Sequence, residues 1–410
     1  MKRFVFAAAA VLVLAFSPSS FAAEQSQHPL IFISIDGYRA DYIKRGLSPT
    51  LKLLAASGVY ANAMRPSFPS VTEPNHYTLL TGLRPDHHGV IDNSMIDPAI
   101  PGERFGEGTI FNDDPRWWAE ATPLWVSAEK QGGIVAASGF PGTEALNHDT
   151  KPNYLQTWNP HLTPARQTAV VLGWLSLPAD IRPSMILLHY DPVDNMGHAY
   201  GPDSPELNGA LRDVDSALAK LVLGLKARKI YDSTNIVIVS DHGMTATSAD
   251  RVIYLDDLFD VSLAIIPSMG AYGGVDPLPG HETEIAAALL THHDHMTCWK
   301  KSEIPAALHY GTNPRVPAIF CLADDGWLVV TRAIAKAYGH ALLGNHGHDP
   351  ADPNMAALFV AHGPSFKQGV TVPDFDNVDI YPLLAALSNV TPLASDGDDS
   401  LVRAALKNVP

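Results

Sequence analysis

The chain has 410 residues, 46% of them hydrophobic, so it can bury a large core. Its length favours roughly two or three domains. Acidic residues outnumber basic ones by 43 to 28, which gives a formal net charge of −15. A surface of this charge repels polyanions, and it argues against a nucleic-acid polymer as the main partner.

The first 22 residues have the pattern of a secretory signal peptide. Lys2 and Arg3 form a positive start, residues 4–16 are apolar, and residues 20–22 form a cleavage site. The apolar run is short for a membrane span, and the sequence has no second candidate. We therefore expect a periplasmic or secreted protein without stable membrane insertion after cleavage. An uncleaved N-terminal anchor is the alternative.

Short apolar runs followed by polar residues indicate the buried strands of a parallel sheet. The runs cover residues 30–35, 185–188, 235–239 and 356–360. A helix is predicted over residues 205–228, because apolar residues recur there every three or four positions. We therefore predict an α/β fold, with a central, mostly parallel sheet and helices on both faces.

The segment 250–339 lacks this alternation and is interrupted by Pro and Gly. We interpret it as an inserted cap region, packed on a catalytic core formed by residues 23–249 and 340–410. A second irregular stretch, residues 97–158, is rich in aromatic residues. Those side chains either line a pocket or pack beneath long loops.

The predicted insertion contains both cysteines of the chain, Cys298 and Cys321. An exported protein can pair them, but the sequence gives no distance between them, so the pairing stays open. The insertion also contains a histidine cluster at His292, His293 and His295. We interpret this cluster as a solvated surface rather than as a metal site.

Carboxylates and imidazoles follow the predicted strands. Since ligands gather at the carboxyl ends of parallel strands, we expect these side chains to meet. Their oxygen and nitrogen atoms suit zinc or a similar divalent ion, and two such ions can hold the attacking and leaving oxygens of a phosphoryl transfer. The candidate ligands are Asp36, Asp194, His198, Asp241, His242 and His346.

Thr72 lies at the start of a predicted helix, shortly before Pro74. A threonine there can cap the helix. Alternatively, its hydroxyl can act as a nucleophile beside the metal ions, because a helix N-terminus favours an anion. Asn93 either donates to a phosphoryl oxygen or is an ordinary loop residue.

The order of these motifs resembles the nucleotide pyrophosphatase/phosphodiesterase family of the alkaline phosphatase superfamily. The resemblance covers about residues 29–349, and the string around Thr72 is its most specific part. It rests on IDG, FPSVTEPNHYTLLTGLRPDHHGVIDN, DNMGHAYGP, SDHGM and HGHDP, in this order. It implies an alkaline-phosphatase-like core, two zinc ions (Zn²⁺) and a covalent phospho-threonine intermediate.

The resemblance also implies a role for each matching residue. One zinc ion would be bound by Asp36, Thr72, Asp241 and His242. The other would be bound by Asp194, His198 and His346. Asn93 would hold a phosphoryl oxygen, and Glu73 and Tyr154 would border a substituent of the substrate.

Two residues depart from the family pattern. Glu73 stands where members that act on nucleotides often have an aromatic residue that stacks on the base. A nucleotide preference is therefore in question, although the diester chemistry is not. His348 stands at an aromatic position, and we predict that His346, which precedes Gly347, is the ligand.

We therefore predict a two-zinc phosphodiesterase/nucleotide pyrophosphatase that acts on a small phosphate diester or nucleotide through phospho-Thr72. A choline-ester-type phosphodiesterase or a phosphomonoesterase is the alternative enzyme. A monoester dianion needs more positive charge, and only Arg65 and Arg84 lie near the motifs. An exported metal-binding protein without catalysis is the alternative outside the enzymes.

Overall fold

The computed structural model describes residues 28–106, 113–338 and 343–408. The predicted signal peptide lies outside these residues. Within them, no helix combines the length and the apolarity that crossing a bilayer requires.

The elements of the described residues alternate along much of the chain. The strands are β1 (Leu30–Ile35), β2 (Val59–Arg65), β3 (Ser94–Met95), β4 (Phe105–Gly106), β5 (Val135–Ser138), β6 (Tyr154–Gln156), β7 (Met185–Tyr190), β8 (Asn235–Val239), β9 (Thr245–Ala246), β10 (Val252–Tyr254), β11 (Ala264–Met269), β12 (Tyr272–Pro277), β13 (Met296–Lys300), β14 (Ile319–Ala323), β15 (Leu328–Val330), β16 (Gly344–Asn345), β17 (Ala357–His362), β18 (Val370–Val372) and β19 (Phe375–Asp376). The α-helices are α1 (Pro49–Ser57), α2 (Thr72–Thr81), α3 (Pro85–His88), α4 (Leu124–Lys130), α5 (Pro164–Trp174), α6 (Pro192–Tyr200), α7 (Pro205–Ala227), α8 (Glu282–Leu289), α9 (Arg332–Tyr338), α10 (Ile380–Ser388) and α11 (Ser400–Ala405).

A nine-stranded mixed sheet forms the centre of the described structure. Its order is β18-β2-β17-β8-β1-β7-β5-β6, and β19 also pairs with β2. Strand β1 is parallel to both of its neighbours, since Leu30 lies beside Met185 of β7 and Asn235 of β8. Strand β17 is antiparallel to β8 and to β2. The predicted fold class is confirmed, although the fourth predicted strand runs against its neighbours.

Strand β1 shows why the sheet is covered on both faces. All six of its residues are buried. Leu30 and Phe32 pack among residues of α2, α4 and α10. Ile31 and Ile33 point to the opposite face and pack among residues of α1, α5 and α7. Each side chain buried in this way contributes roughly 1.5–3 kcal/mol to stability, so the strand ends are held rigidly.

A second, smaller sheet lies within the segment predicted to be an insertion. Strands β11, β12, β14 and β13 form it in this order, and all its pairings are antiparallel; we call it the cap sheet. Cys298 of β13 lies opposite Cys321 of β14, and the two form a disulfide. The division of the chain into a core and an insertion stays a prediction.

The cap sheet packs on the chain that leads into α2. The ring of Phe68 lies 5.3 Å from that of Tyr310 and 5.5 Å from that of Phe320. Tyr272 of β12 stacks on Phe320 at 5.0 Å. This aromatic cluster is buried, and it places the cap sheet close to the N-terminus of α2.

Candidate metal centre

The predicted ligands meet at one end of the central sheet. Asp36 directly follows β1, Asp241 follows β8 after one residue, and His346 directly follows β16. Asp194 and His198 lie one helical turn apart on α6. They share a face of that helix, because side chains four residues apart are neighbours on an α-helix.

The first ligand group consists of Asp36, Asp241 and His242. One ligand atom from each lies within 4.8 Å of the others, and all three residues are buried. The Nε2 atom of His242 lies 2.9 Å from Asp241 Oδ2 and 3.5 Å from Asp36 Oδ1. The hydroxyl oxygen of Thr72 is 3.3 Å from the same nitrogen. The structure thus brings together all four residues predicted for one ion.

The second ligand group consists of Asp194, His198 and His346. The Nε2 atom of His198 lies 3.4 Å from Asp194 Oδ2 and 3.1 Å from Nε2 of His346. Asp194 Oδ1 is buried and accepts no hydrogen bond from any residue that the structure describes. These are the three residues predicted for the other ion.

The hydrogen bonds of the two imidazoles in the second group favour a cation between them. Nδ1 of His346 donates to the carbonyl oxygen of Ser70 at 2.9 Å, and Nδ1 of His198 donates to that of Gly344 at 2.9 Å. In a neutral imidazole the other nitrogen then carries a lone pair. Burial and the neighbouring imidazoles hold the pKa of His346 well below its ordinary value. The Nε2 atoms of the two rings face each other at 3.1 Å, an arrangement that a bound divalent ion would stabilise.

The first group has two carboxylates, whereas the second has one, so the first group carries more negative charge. Burial opposes protonation of His242, but Asp241 and Asp194 outweigh it and raise the pKa of His242. Burial also opposes ionisation of Asp241, yet the charge and the hydrogen bond of His242 keep the pKa of Asp241 below its ordinary value. Two carboxylates and an imidazole in a buried site are a donor set that suits zinc. The residues of both groups thus fit metal ions.

The two groups lie side by side. The rings of His242 and His346 stack with 3.5 Å between their centroids and 12° between their planes. Gly37 has φ +64°, and a Cβ atom there would lie 2.9 Å from the Cα atom of Asp194. Only glycine suits both the conformation and the close approach. Gly37 therefore lets Asp36 of one group lie next to Asp194 of the other.

Thr72 is the first residue of α2, and Val71 occupies the N-cap position. The Thr72 hydroxyl therefore does not cap the helix and is directed to His242 instead. His76, one turn later, donates from Nδ1 to the carbonyl oxygen of Thr72 at 2.9 Å, and its Nε2 accepts from the hydroxyl of Ser34 at 2.8 Å. Burial lowers the pKa of His76 to about 3, so this residue is neutral.

Asn93 and Glu73 meet at the N-terminus of α2. The side-chain oxygen of Asn93 accepts the backbone N–H of Glu73 at 2.7 Å. The amide group of Asn93 is thereby fixed against the N-terminus of α2. Glu73 is buried, and it lines the same cavity as Thr72.

A cavity of about 290 Å³ opens beside the two groups. Asp36, Thr72 and Asp194 are among the residues that line it. Its aromatic wall consists of Trp118, Phe140 and Trp158, and its further carboxylates are Glu73, Asp113, Glu144 and Asp191. No lysine or arginine is among the described residues that line it. This is space for a small molecule next to the ligand groups.

Comparison with known proteins identifies the chain. The family model of type I phosphodiesterase/nucleotide pyrophosphatase matches residues 30–349. The chain belongs to this family. Its relatives are hydrolases of phosphodiester or pyrophosphate bonds, and this chain is an enzyme of that class.

Several relatives match this phosphodiesterase over most of their length. An uncharacterized pyrophosphatase/phosphodiesterase of Schizosaccharomyces pombe is 36% identical, over 90% of this chain and 79% of the relative. Ectonucleotide pyrophosphatase/phosphodiesterase family member 5 of Homo sapiens is 32% identical, over 92% and 78%. A bis(5′-adenosyl)-triphosphatase of Bos taurus is 33% identical, over 92% and 81%.

Solved structures agree with this assignment. Murine ectonucleotide pyrophosphatase/phosphodiesterase 5 is 34% identical and superposes with a TM-score of 0.88, over 92% of this chain and 100% of the murine one. The inactive Thr→Ala form of the murine enzyme, in complex with AMP, gives a TM-score of 0.87 at 33% identity, over 92% of this chain and 100% of the murine one.

Tyr154, for which the resemblance to the phosphodiesterase family implies a place beside the substrate, lies at the edge of the central sheet. It belongs to the edge strand β6, its ring packs near Trp174, and its hydroxyl donates to the carbonyl oxygen of Ile181 at 2.9 Å. It is not among the residues that line the cavity. Trp158 lines the cavity instead, and its indole N–H donates to Asp191 at 3.2 Å. The structure thus gives no support to Tyr154 as a substrate-binding residue.

His189 of this phosphodiesterase is a site residue that the sequence analysis missed. Its Nε2 atom lies 3.0 Å from Asp36 Oδ2, and the residue is buried at the wall of the cavity. It is the polar residue near the end of the apolar strand β7. A polar side chain in a buried strand needs a hydrogen-bond partner. A histidine within an apolar run is therefore the sequence signal that could have indicated His189. The histidine cluster at residues 292–295 joins neither ligand group.

Proposed function

We propose that this chain is an exported two-zinc phosphodiesterase that hydrolyses small phosphate diesters and pyrophosphates through a phospho-threonine intermediate. The observation that carries the proposal is the position of the Thr72 hydroxyl. It lies 3.3 Å from a nitrogen of one ligand group, and it lines a cavity that residues of both groups also line.

The two ligand groups would each hold one zinc ion. Asp36, Asp241 and His242, together with the hydroxyl of Thr72, would hold the first. Asp194, His198 and His346 would hold the second. When bound, the ions supply positive charge that stabilises the oxygens of the phosphoryl group during transfer.

The reaction begins at Thr72. Its hydroxyl oxygen forms the new bond to phosphorus, its proton passes to solvent, and the bond between phosphorus and the leaving oxygen breaks. The leaving oxygen takes a proton from solvent, and the group departs as an alcohol or a nucleotide. Water then attacks phosphorus, its oxygen bonds to phosphorus as the bond to the Thr72 oxygen breaks, and a proton restores the Thr72 hydroxyl. The second product leaves as a phosphate monoester. The place of Thr72 at the first position of α2 helps, because free N–H groups and the helix dipole favour the anion that forms there.

Asn93 would act as the neutral donor of the site. Its amide oxygen is occupied by the N–H of Glu73, so its NH₂ group is the part that can face a phosphoryl oxygen. A donor fixed in advance stabilises charge without reorganising during the reaction. The bond to Glu73 ties this donor to the same helix turn that carries Thr72.

The charge of the site favours a diester over a monoester. A monoester carries one more negative charge, and the described residues that line the cavity include no lysine or arginine. Arg84 donates to Asp376 at 2.8 Å, and Arg65 also donates to Asp376. Both arginines near the motifs are therefore paired outside the cavity.

The substrate substituent would lie between Trp158 and Glu73. Trp158 offers a flat apolar surface on which a base could stack, and the murine relative is known in complex with AMP. Glu73 repels an anionic group and attracts a cationic one. We infer a substrate with a planar or cationic substituent, and a weaker preference for nucleotides than in family members with an aromatic residue at that position.

A panel of four substrates tests the proposal: an aryl phosphodiester, an aryl phosphomonoester, a nucleotide and a phosphocholine ester. We expect turnover of the diester to exceed that of the monoester, to vanish on chelation and to return with zinc. Thr72→Ala should abolish turnover while elemental analysis shows metal still bound. Residual activity within about tenfold of wild type, roughly 1.4 kcal/mol in the barrier, would contradict the role of Thr72. Metal binding without any turnover would instead indicate an exported metal-binding protein.

A further inference from the structure

His189, at the wall of the cavity, contacts a ligand of the first proposed zinc ion. Its Nε2 atom donates a hydrogen bond to Asp36 Oδ2 at 3.0 Å, and both residues are buried. The other carboxylate oxygen, Asp36 Oδ1, is directed to the first ligand group and lies 3.5 Å from Nε2 of His242. His189 thus occupies one oxygen of Asp36 and turns the other toward the proposed ion.

Four other ligand residues are held in the same way, but by backbone groups. Asp241 Oδ1 accepts the N–H of Gly37 at 3.1 Å, while its Oδ2 faces His242. Imidazoles donate from Nδ1 to backbone carbonyl oxygens in His198, His242 and His346. At Asp36 this outer partner is a side chain, so a substitution can remove it.

The fold holds the His189 ring in place. His189 lies beside Ser34 in the pairing of β7 with β1, and the N–H of Asp36 donates to the carbonyl oxygen of Tyr190 at 2.9 Å. The ring meets that of His76 edge-on, with 4.9 Å between the two centroids. Since strand pairing fixes both backbones and packing fixes the ring, the hydrogen bond to Asp36 costs little additional side-chain entropy.

We propose that His189 is a positioning residue that orients the Asp36 carboxylate for the first zinc ion and raises the affinity of the protein for that ion. This inference rests on the proposed function, in which Asp36 binds this ion. An outer partner of a metal ligand contributes about 10–100-fold in metal affinity. The contribution of His189 concerns the first ion, because the ligand to which it donates belongs to the first group.

The zinc affinity of the full chain tests this inference. The two zinc dissociation constants are measured by competition with a chelating dye. His189→Phe keeps a flat ring and removes the N–H donor. We expect one constant to rise about 10–100-fold and the other to stay within about twofold of wild type. The zinc concentration that gives half-maximal turnover of the aryl diester should rise by the same factor as the first constant.

His189→Gln separates the hydrogen bond from the packing of the ring. The side-chain amide of glutamine has N–H donors that can replace the imidazole donor, so zinc affinity should return to within about threefold of wild type. If His189→Phe fails to fold, as judged by circular dichroism, His189→Leu replaces it, since leucine also lacks a donor and is smaller.

His88→Phe is the matched control. His88 is also buried, and its ring meets that of Tyr77 edge-on at 5.1 Å. Its Nδ1 accepts the N–H of Val90 at 3.2 Å, and its Nε2 donates to the hydroxyl of Thr78 at 3.0 Å. The substitution removes a comparable donor whose partner, Thr78, is not a proposed ligand. We expect lower stability and unchanged zinc dissociation constants.

The outcomes separate this inference from the function on which it rests. If wild type binds two zinc ions and hydrolyses the diester, while His189→Phe keeps both dissociation constants, the inference is overturned and the proposed function stands. An equal loss of affinity in His88→Phe, or no recovery in His189→Gln, would show that the donor to Asp36 is not the cause, and would also overturn the inference. A wild-type chain that binds no zinc would contradict the proposed function, and the inference would fall with it.

Discussion

Replacing His346 with alanine tests how the ligands are divided between the two ions. His346 Nε2 lies 3.1 Å from His198 Nε2 and 3.5 Å from Asp194 Oδ1. The variant leaves only Asp194 and His198 in the second group, while the first group keeps all its members. We therefore expect the second ion to be lost and the first to remain.

The expected loss of zinc affinity follows from the proposed role of His346 as a direct ligand. Loss of an outer-shell partner of a metal ligand costs about 10–100-fold in affinity. A direct ligand contributes more, so we expect at least about a 100-fold loss, which is about 2.7 kcal/mol. At a free zinc concentration about ten times the wild-type dissociation constant, the second site of the variant would be mostly empty.

The control is His348→Ala. His348 Nε2 lies 3.0 Å from the carbonyl oxygen of Trp327, and the residue joins neither ligand group among the described residues. The assay is zinc stoichiometry by elemental analysis after dialysis against a zinc buffer. We expect one zinc per chain in His346→Ala and two in His348→Ala. The opposite result would reverse the assignment, and two zinc ions in both variants would refute the geometric reasoning.

Further substitutions test the substrate pocket and the cap sheet. Glu73→Phe should raise kcat/KM for a nucleotide diester relative to a small aryl diester, and an unchanged ratio would show that Glu73 does not contact the substituent. Gly347→Ala should lower the free energy of unfolding, measured by urea denaturation, by about 1–3 kcal/mol, because residue 347 has φ +107° and a Cβ atom there would lie 2.9 Å from the ring of Tyr272; a wild-type free energy of unfolding would contradict this. Replacing Cys298 and Cys321 with serine opens a disulfide between residues 23 positions apart, and we expect a loss of about 3 kcal/mol in the free energy of unfolding. A loss below about 1 kcal/mol would mean that the cap sheet unfolds separately from the measured transition.

The central strands could be predicted because their signal is local. Strand β1 is an unbroken apolar run that ends at Asp36, and its bounds agree with the prediction. The direction of β17 could not be predicted, because a buried strand has the same composition in parallel and antiparallel pairings. The cap sheet was missed for a different reason: β11 is only partly buried and is interrupted by Pro267, so it shows neither a continuous apolar run nor a clean alternation.

The sequence is most informative about the site where polar residues directly follow a buried strand. Asp36, Asp241 and His242 meet because parallel strands bring their carboxyl ends to one edge. Tyr154 lies in the edge strand β6, and its role beside the substrate stays a prediction, because the resemblance gives a residue type but no position in the fold. His189 was missed because it lies inside an apolar run, where composition alone shows only a strand.

The place of β17 in the central sheet has a consequence for how the chain reaches its native state. It lies between β2 and β8 and pairs with both, yet it is synthesised only after residue 356. Until then β8 has one open edge, and β2 lacks this partner as well as β18 and β19, which follow β17 in the chain. Open edges of apolar strands pair readily with other chains. A nascent chain that ends before β17 should therefore aggregate or bind a chaperone, and closing the gap is a late, long-range step that slows folding.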